Sequence, residues 1–139
     1  KTDVVQMLNG CIGGLVAITA EPLMPSPLEA ILIGAVGGVI VVYGTKFLLS
    51  MKIDDVVGAI PAHLFAGIWG TLAVPITNPD TTFGAQLLGV VSINAFVFLV
   101  SLIVWSIMKN TFGIRLSKEG ELKGTDVTET GVIAYAIRD

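Results

Sequence analysis

His63 is the only histidine in the 139-residue chain, and it stands inside the apolar run VVGAIPAHLFAGIWGTLAVPIT. A low-dielectric setting favours the neutral imidazole, which offers one donor and one acceptor. Two uses follow. The ring can line a path for an uncharged polar molecule, or it can tie its helix to a carbonyl or hydroxyl on a neighbour. Asp54 and Asp55 precede it, and two adjacent carboxylates could in principle share acid–base work. Nothing nucleophilic or metal-binding accompanies them, so their simpler role is to start a helix, where carboxylates satisfy orphan N–H groups and complement the dipole. Cys11, set among Gly10, Gly13 and Gly14, has no intrachain partner and reads as a small helix-packing residue. The chain carries no Ser/His/Asp set, no P-loop and no cofactor or metal-ligand spacing. Its chemistry is not that of an enzyme.

The elements that must position His63 are membrane helices. The chain is 53% hydrophobic and 14% charged, against about 25% charged in soluble domains. Four apolar runs, 4–20, 31–51, 56–77 and 87–108, approach the ~20 residues that cross the hydrocarbon core. Gln6 and Asn9 interrupt the first, which is slightly short. The connections EPLMPSPLE, KIDD and NPDTTFG are turn-like. Lys1 is followed at once by Asp3 and a Gly-rich run, which fits no removable signal peptide; lacking an initiator Met, the chain reads as a piece of something longer. The expected organisation is all-α: a polytopic bundle over 1–113 and a polar cytoplasmic tail over 114–139.

Charge sets the orientation. Lys46 and Lys52 lie in one connection, and Lys109, Arg115, Lys118, Lys123 and Arg138 lie at or beyond the last span. None of the eight Lys and Arg falls in 53–108. By the positive-inside rule those regions are cytoplasmic, while 21–30 and 78–86, bearing only acidic charges, are external. Charges in the tail nearly cancel, which argues against a nucleic-acid-binding patch.

Packing is written in glycine. GCIGG (10–14) and GAVGG (34–38) are GxxxG patterns, and Gly67 and Gly70 flank Trp69; small residues let membrane helices approach closely. Trp69 lies too deep for an interface anchor and is expected to pack on a neighbouring helix. Pro61 removes an N–H just before His63 and is expected to kink the third span. With that helix starting near Asp54, nine residues put His63 ~13 Å deep, near the midplane. An ionisable residue there is a functional-site candidate. The fourth span, lined almost all round by Phe96, Phe98, Leu99, Leu102 and Trp105, is expected to face lipid or another subunit.

Taken in order, LNGCIGGLVAIT (8–19), IGAVGGVIVVYG (33–44), the DD pair with His63 eight residues after Asp55, GIWG (67–70) and GIRLSKEGELKGTD…GVIAY (113–135) resemble the C-terminal part of Amt/Mep/Rh ammonium transporters, nearest the Amt branch. The resemblance covers essentially the whole chain. It implies an eleven-span fold of two inverted five-helix repeats plus a final helix, of which this chain holds the last four spans and the tail. It also implies a homotrimer in the plasma or inner membrane that passes ammonium as ammonia through a hydrophobic pore. The pore is lined by one histidine from each repeat, and His63 matches the second. The first histidine, the pore aromatics and the recruitment site belong to the other half. Where the family usually has a third Asp and a Gly, this chain has Gly58 and Leu64. Its tail follows the family's D-x-x-x-H-G-E-x-A-Y at Asp126, Gly131, Ala134 and Tyr135, with Thr130 and Val132 replacing His and Glu. That tail region, including Gly124, is where family members couple subunits and meet the PII signalling protein. An ammonium sensor of the same fold, signalling through its tail, is the alternative.

Overall fold

The computed structural model describes residues 3–134, and its regular elements are all helices. Tyr135 lies outside the described residues. Helix α1 runs Val4–Ile18, α2 Pro27–Ser50, α3 Ile60–Thr77, α4 Phe83–Thr111 and α5 Lys118–Lys123. After α5, a short π-helical turn spans Asp126–Thr130. By length and composition α2, α3 and α4 can cross a membrane. Helix α1 has 15 residues, a rise of ~22 Å.

Each start has a local cause. The Asp3 carboxylate accepts from the Gln6 N–H at 3.0 Å and opens α1. Ser26 and Glu29 form a reciprocal capping box around Pro27 at the head of α2, which satisfies two orphan donors and uses a residue that has none to lose. Helix α3 begins after a turn rather than near Asp54: Gly58 has φ +72°, outside the helical region, and regular hydrogen bonding starts beyond it.

The chain divides into two compact units, residues 1–95 and 96–139. In the first, α1, α2 and α3 pack together, α1 and α2 most extensively. The two GxxxG segments meet each other: a Cβ at Gly37 would lie 2.7 Å from the Gly13 carbonyl oxygen. On α2 the buried residues are Ile33, Gly37, Val41, Gly44 and Leu48, a single stripe at helical spacing. Ala17, Ile33 and Ala73 make one small core, with Ile18 and Trp69 against it. Val41, Ala62 and Ala66 make a second, with Val16 against it. Gly44 provides the room for α3 to enter, since a Cβ there would lie 2.7 Å from Phe65 Cδ2 and 3.0 Å from Pro61 Cβ.

In the second unit α5 is capped by Ser117, whose hydroxyl accepts from the Gly120 N–H. The Thr128 hydroxyl returns to the Gly120 carbonyl at 3.1 Å, and the Asp126 carboxylate accepts from the Ala134 N–H at 2.8 Å. None of the residues of α4 is buried; an all-round apolar helix has no polar face to expose.

Candidate functional site: the His63 turn

His63 sits in a π-helical segment, Ile60–Phe65, that opens α3. Such segments are rare, occur mostly as single turns inside α-helices, and are frequent at functional sites. Pro61 stands at the start of this segment, where the N–H it lacks would be an orphan in any case. The turn has two sides. Pro61, Ala62 and Ala66 are buried against α2, whereas His63 and Leu64 are exposed. The imidazole makes no hydrogen bond to any described residue, so it ties no pair of the described helices together. Counted from Ile60, His63 lies only three residues into the helix, a rise of ~5 Å rather than the ~13 Å expected from a start near Asp54.

The preceding segment fixes where this turn begins. Both oxygens of the Asp55 carboxylate are used, one accepting from the Ala59 N–H and the other from the Ile60 N–H, each at 2.9 Å. Asp55 therefore caps α3 from just outside it. Asp54 has no side-chain hydrogen bond among the described residues. The Gly58 N–H closes a turn onto the Asp55 carbonyl at 3.1 Å, and the Ala62 N–H reaches the Gly58 carbonyl at 3.1 Å. Asn9, on α1, donates its side-chain N–H to the Val57 carbonyl at 2.8 Å. In the sequence Asn9 is only a polar interruption of an apolar run, and a polar side chain at a position that should face lipid or core is the one signal of its role.

Further along α3 the sequence-selected residues do separate jobs. The Trp69 indole N–H donates to the Ile33 carbonyl at 3.0 Å, so the ring lies against α2. Gly70 is buried directly on the Ala17 carbonyl of α1. Gly67 is looser, its nearest neighbour for an added Cβ being Val16 Cγ1 at 3.8 Å. Gly67 also lines a cavity of about 280 Å³ with Leu64, Ile68 and Thr71 of α3 and Gln86 and Asn94 of α4. Among the described residues no cluster of His, Cys, Asp and Glu could hold a metal ion.

In the tail, the Arg115 guanidinium pairs with the Glu121 carboxylate. That hydrogen bond holds the Glu121 carboxyl below the usual carboxylate range and raises Arg115. Gly124 and Gly131 both have positive φ, +100° and +68°, and Asp126 lies between them.

Comparison with known proteins agrees with the resemblance in the motifs. The model of the Ammonium Transporter Family matches residues 1–135. Ammonium transporter Amt2 of Archaeoglobus fulgidus is 36% identical over 155 residues, covering 97% of this chain and 33% of that protein. A putative ammonium transporter of Synechocystis is 39% identical over 133 residues, covering 94% of this chain and 30% of its own length. The ammonium transporter of Bacillus subtilis is 30% identical over 152 residues, covering 97% and 37%. The chain thus spans about a third of the length of these relatives. With its apolar helices, its glycine-packed bundle and a model match over nearly every residue, the chain belongs to the ammonium transporter family, a family of membrane transporters rather than enzymes.

Proposed function

We propose that this chain forms part of an ammonium-conducting pore, in which ammonium is deprotonated and passes as ammonia beside His63. One observation carries the reading. The imidazole lies on the side of α3 turned away from the chain's own core, next to Leu64 and without a hydrogen-bond partner among the described residues. A neutral ring in an apolar wall can exchange hydrogen bonds with ammonia without binding a cation tightly. The opposite wall, with the first of the two histidines, comes from the remaining two thirds of a full-length transporter.

On this reading 1–113 is pore region and 114–139 a cytoplasmic tail, with Lys46 and Lys52 on the same side as the tail. The protein is a homotrimer of the plasma or inner membrane, and the tail around Gly124, Asp126, Gly131 and Tyr135 couples subunits or meets a PII-type partner. Replacing His63 with Ala in the full-length protein is the test. Methylammonium uptake should change sharply while membrane insertion is retained; unchanged uptake would remove His63 from the pore.

The sensor reading draws on the tail, whose α5 and following turn are cross-linked by the Thr128–Gly120 hydrogen bond. Deleting 114–139 separates the two. Loss of regulation with conduction kept favours a tail that modulates a pore, and a protein that signals but never conducts is a sensor.

A further inference from the structure

We propose that Asn9 is a positioning residue for His63, acting through the Asp55–Gly58 turn. The route is a continuous set of hydrogen bonds. Asn9 Nδ2 holds the Val57 carbonyl at 2.8 Å. The next residue, Gly58, accepts at its carbonyl from the Ala62 N–H at 3.1 Å, and Ala62 directly precedes His63. On the other flank the Asp55 carboxylate holds the Ala59 and Ile60 N–H groups. The π-helical turn is therefore clamped at its base from two directions, one of them a different helix.

Geometry at Gly58 makes the contact close. Its φ of +72° is a region most side chains avoid, and a Cβ there would also overlap the Asn9 amide. The turn lies flat on Asn9. Other carboxamides are spent differently: those of Asn94 and Asn110 donate to carbonyls of their own helix, and that of Gln6 reaches α2. A carboxamide in a membrane helix is expensive unless it is used, and Asn9 is used on the turn that carries the imidazole. Helix α1 thereby sets where the His63 ring points, without a hydrogen bond to that ring.

The inference rests on the pore reading only for its transport arm. In the full-length protein with its native cysteines replaced, Cys11→Ser among them, His63→Cys reports the position directly through its rate of modification by a small maleimide, and Cys at the exposed position 80, Asp80→Cys, serves as the reference thiol. Asn9→Ala should change the rate at position 63 by about threefold or more, the size of a lost hydrogen bond, with the rate at position 80 unchanged. Asn9→Asp, which cannot donate when ionised, should act like Asn9→Ala, and Gly58→Ala should shift the same rate from the other side of the contact. An unchanged rate at position 63, or equal changes at 63 and 80, overturns the proposal. With His63 restored, Asn9→Ala should lower methylammonium uptake several-fold. A shifted labelling rate with uptake unaltered supports the positioning role and counts against the pore reading of His63.

Discussion

Gly70 of α3 rests on the carbonyl oxygen of Ala17 in α1, so closely that a methyl group at Gly70 would overlap it. The contact is backbone on backbone, with no side chain able to move aside. Gly70→Ala should therefore force the helices apart at a cost of about 1–3 kcal/mol, the range for overpacking. Gly67, one turn earlier, has only Val16 Cγ1 at 3.8 Å, so Gly67→Ala should stay within about 0.5 kcal/mol. Thermal unfolding of the two purified full-length variants checks the contrast, and equal losses would contradict it.

The Trp69 indole spends its N–H on the Ile33 carbonyl while its ring covers the Ala17–Ile33–Ala73 core. Trp69→Phe removes the hydrogen bond and keeps most of the area. It should cost about 0.5–1.5 kcal/mol, near the low end because interhelical hydrogen bonds in membranes average ~0.6 kcal/mol. Trp69→Ala loses the packing as well and should cost about 3–5 kcal/mol. Denaturant titration of both variants separates the two contributions.

The two aspartates should respond differently. Asp55→Ala leaves the Ala59 and Ile60 N–H groups without their carboxylate, a cap loss of about 0.5–2 kcal/mol. Asp54→Ala should be within about 0.5 kcal/mol. Hydrogen exchange at residues 59 and 60 is the sharper measurement: faster exchange is expected in the Asp55 variant alone.

These residues also mark what could be read from the sequence. Apolar runs and turn residues locate helices because a membrane span must be long and uncharged. Which face of α2 is buried could not be read from polarity, since that helix is apolar on every side; Gly37 and Gly44 mark the buried stripe by size instead. The start of α3 was displaced for a physical reason. Asp55 caps α3 from outside the helix, through the Gly58 turn, so a residue count from Asp54 overstates how far along the helix His63 lies. The π-helical segment was hidden too, because Pro61 signals a lost N–H without saying whether the chain kinks, ends or widens its turn. Asn9 was legible only as an anomaly, its partner being 48 residues away.

In the tail, the pH dependence of one contact has a definite sign. The Arg115 hydrogen bond lowers the Glu121 carboxyl in the folded tail relative to an unfolded one. The pair therefore contributes fully above the ordinary carboxylate range, and its contribution is lost as pH falls through the depressed folded value. Protection of the 115–123 amides against hydrogen exchange, taken relative to the intrinsic rate at each pH, should fall at that acidic end and be flat around neutrality in the full-length protein. Glu121→Gln should abolish the acid step. A step near neutral pH would contradict the assignment.

Gly124 and Gly131 share a positive φ but not a conformation. Gly131, at φ +68° and ψ +12°, is close to the left-handed helical region, which Asn enters at modest cost, and a Cβ there meets nothing within 4 Å. Gly124, at φ +100° and ψ +139°, occupies a region nearly reserved for glycine, and its Cβ would lie 2.6 Å from Asp126 Oδ1. Gly131→Asn should then leave the tail intact, within about 0.5 kcal/mol, whereas Gly124→Asn should cost about 1–3 kcal/mol of local stability. Limited proteolysis of the tail in the intact transporter reads this out, with faster cleavage after position 117 in the Gly124 variant and an unchanged rate in the other. Because Asp126 also holds the Ala134 N–H, the same Gly124 substitution should loosen the chain just before Tyr135. If tail coupling depends on that frame, regulation should fail in the Gly124 variant with conduction retained.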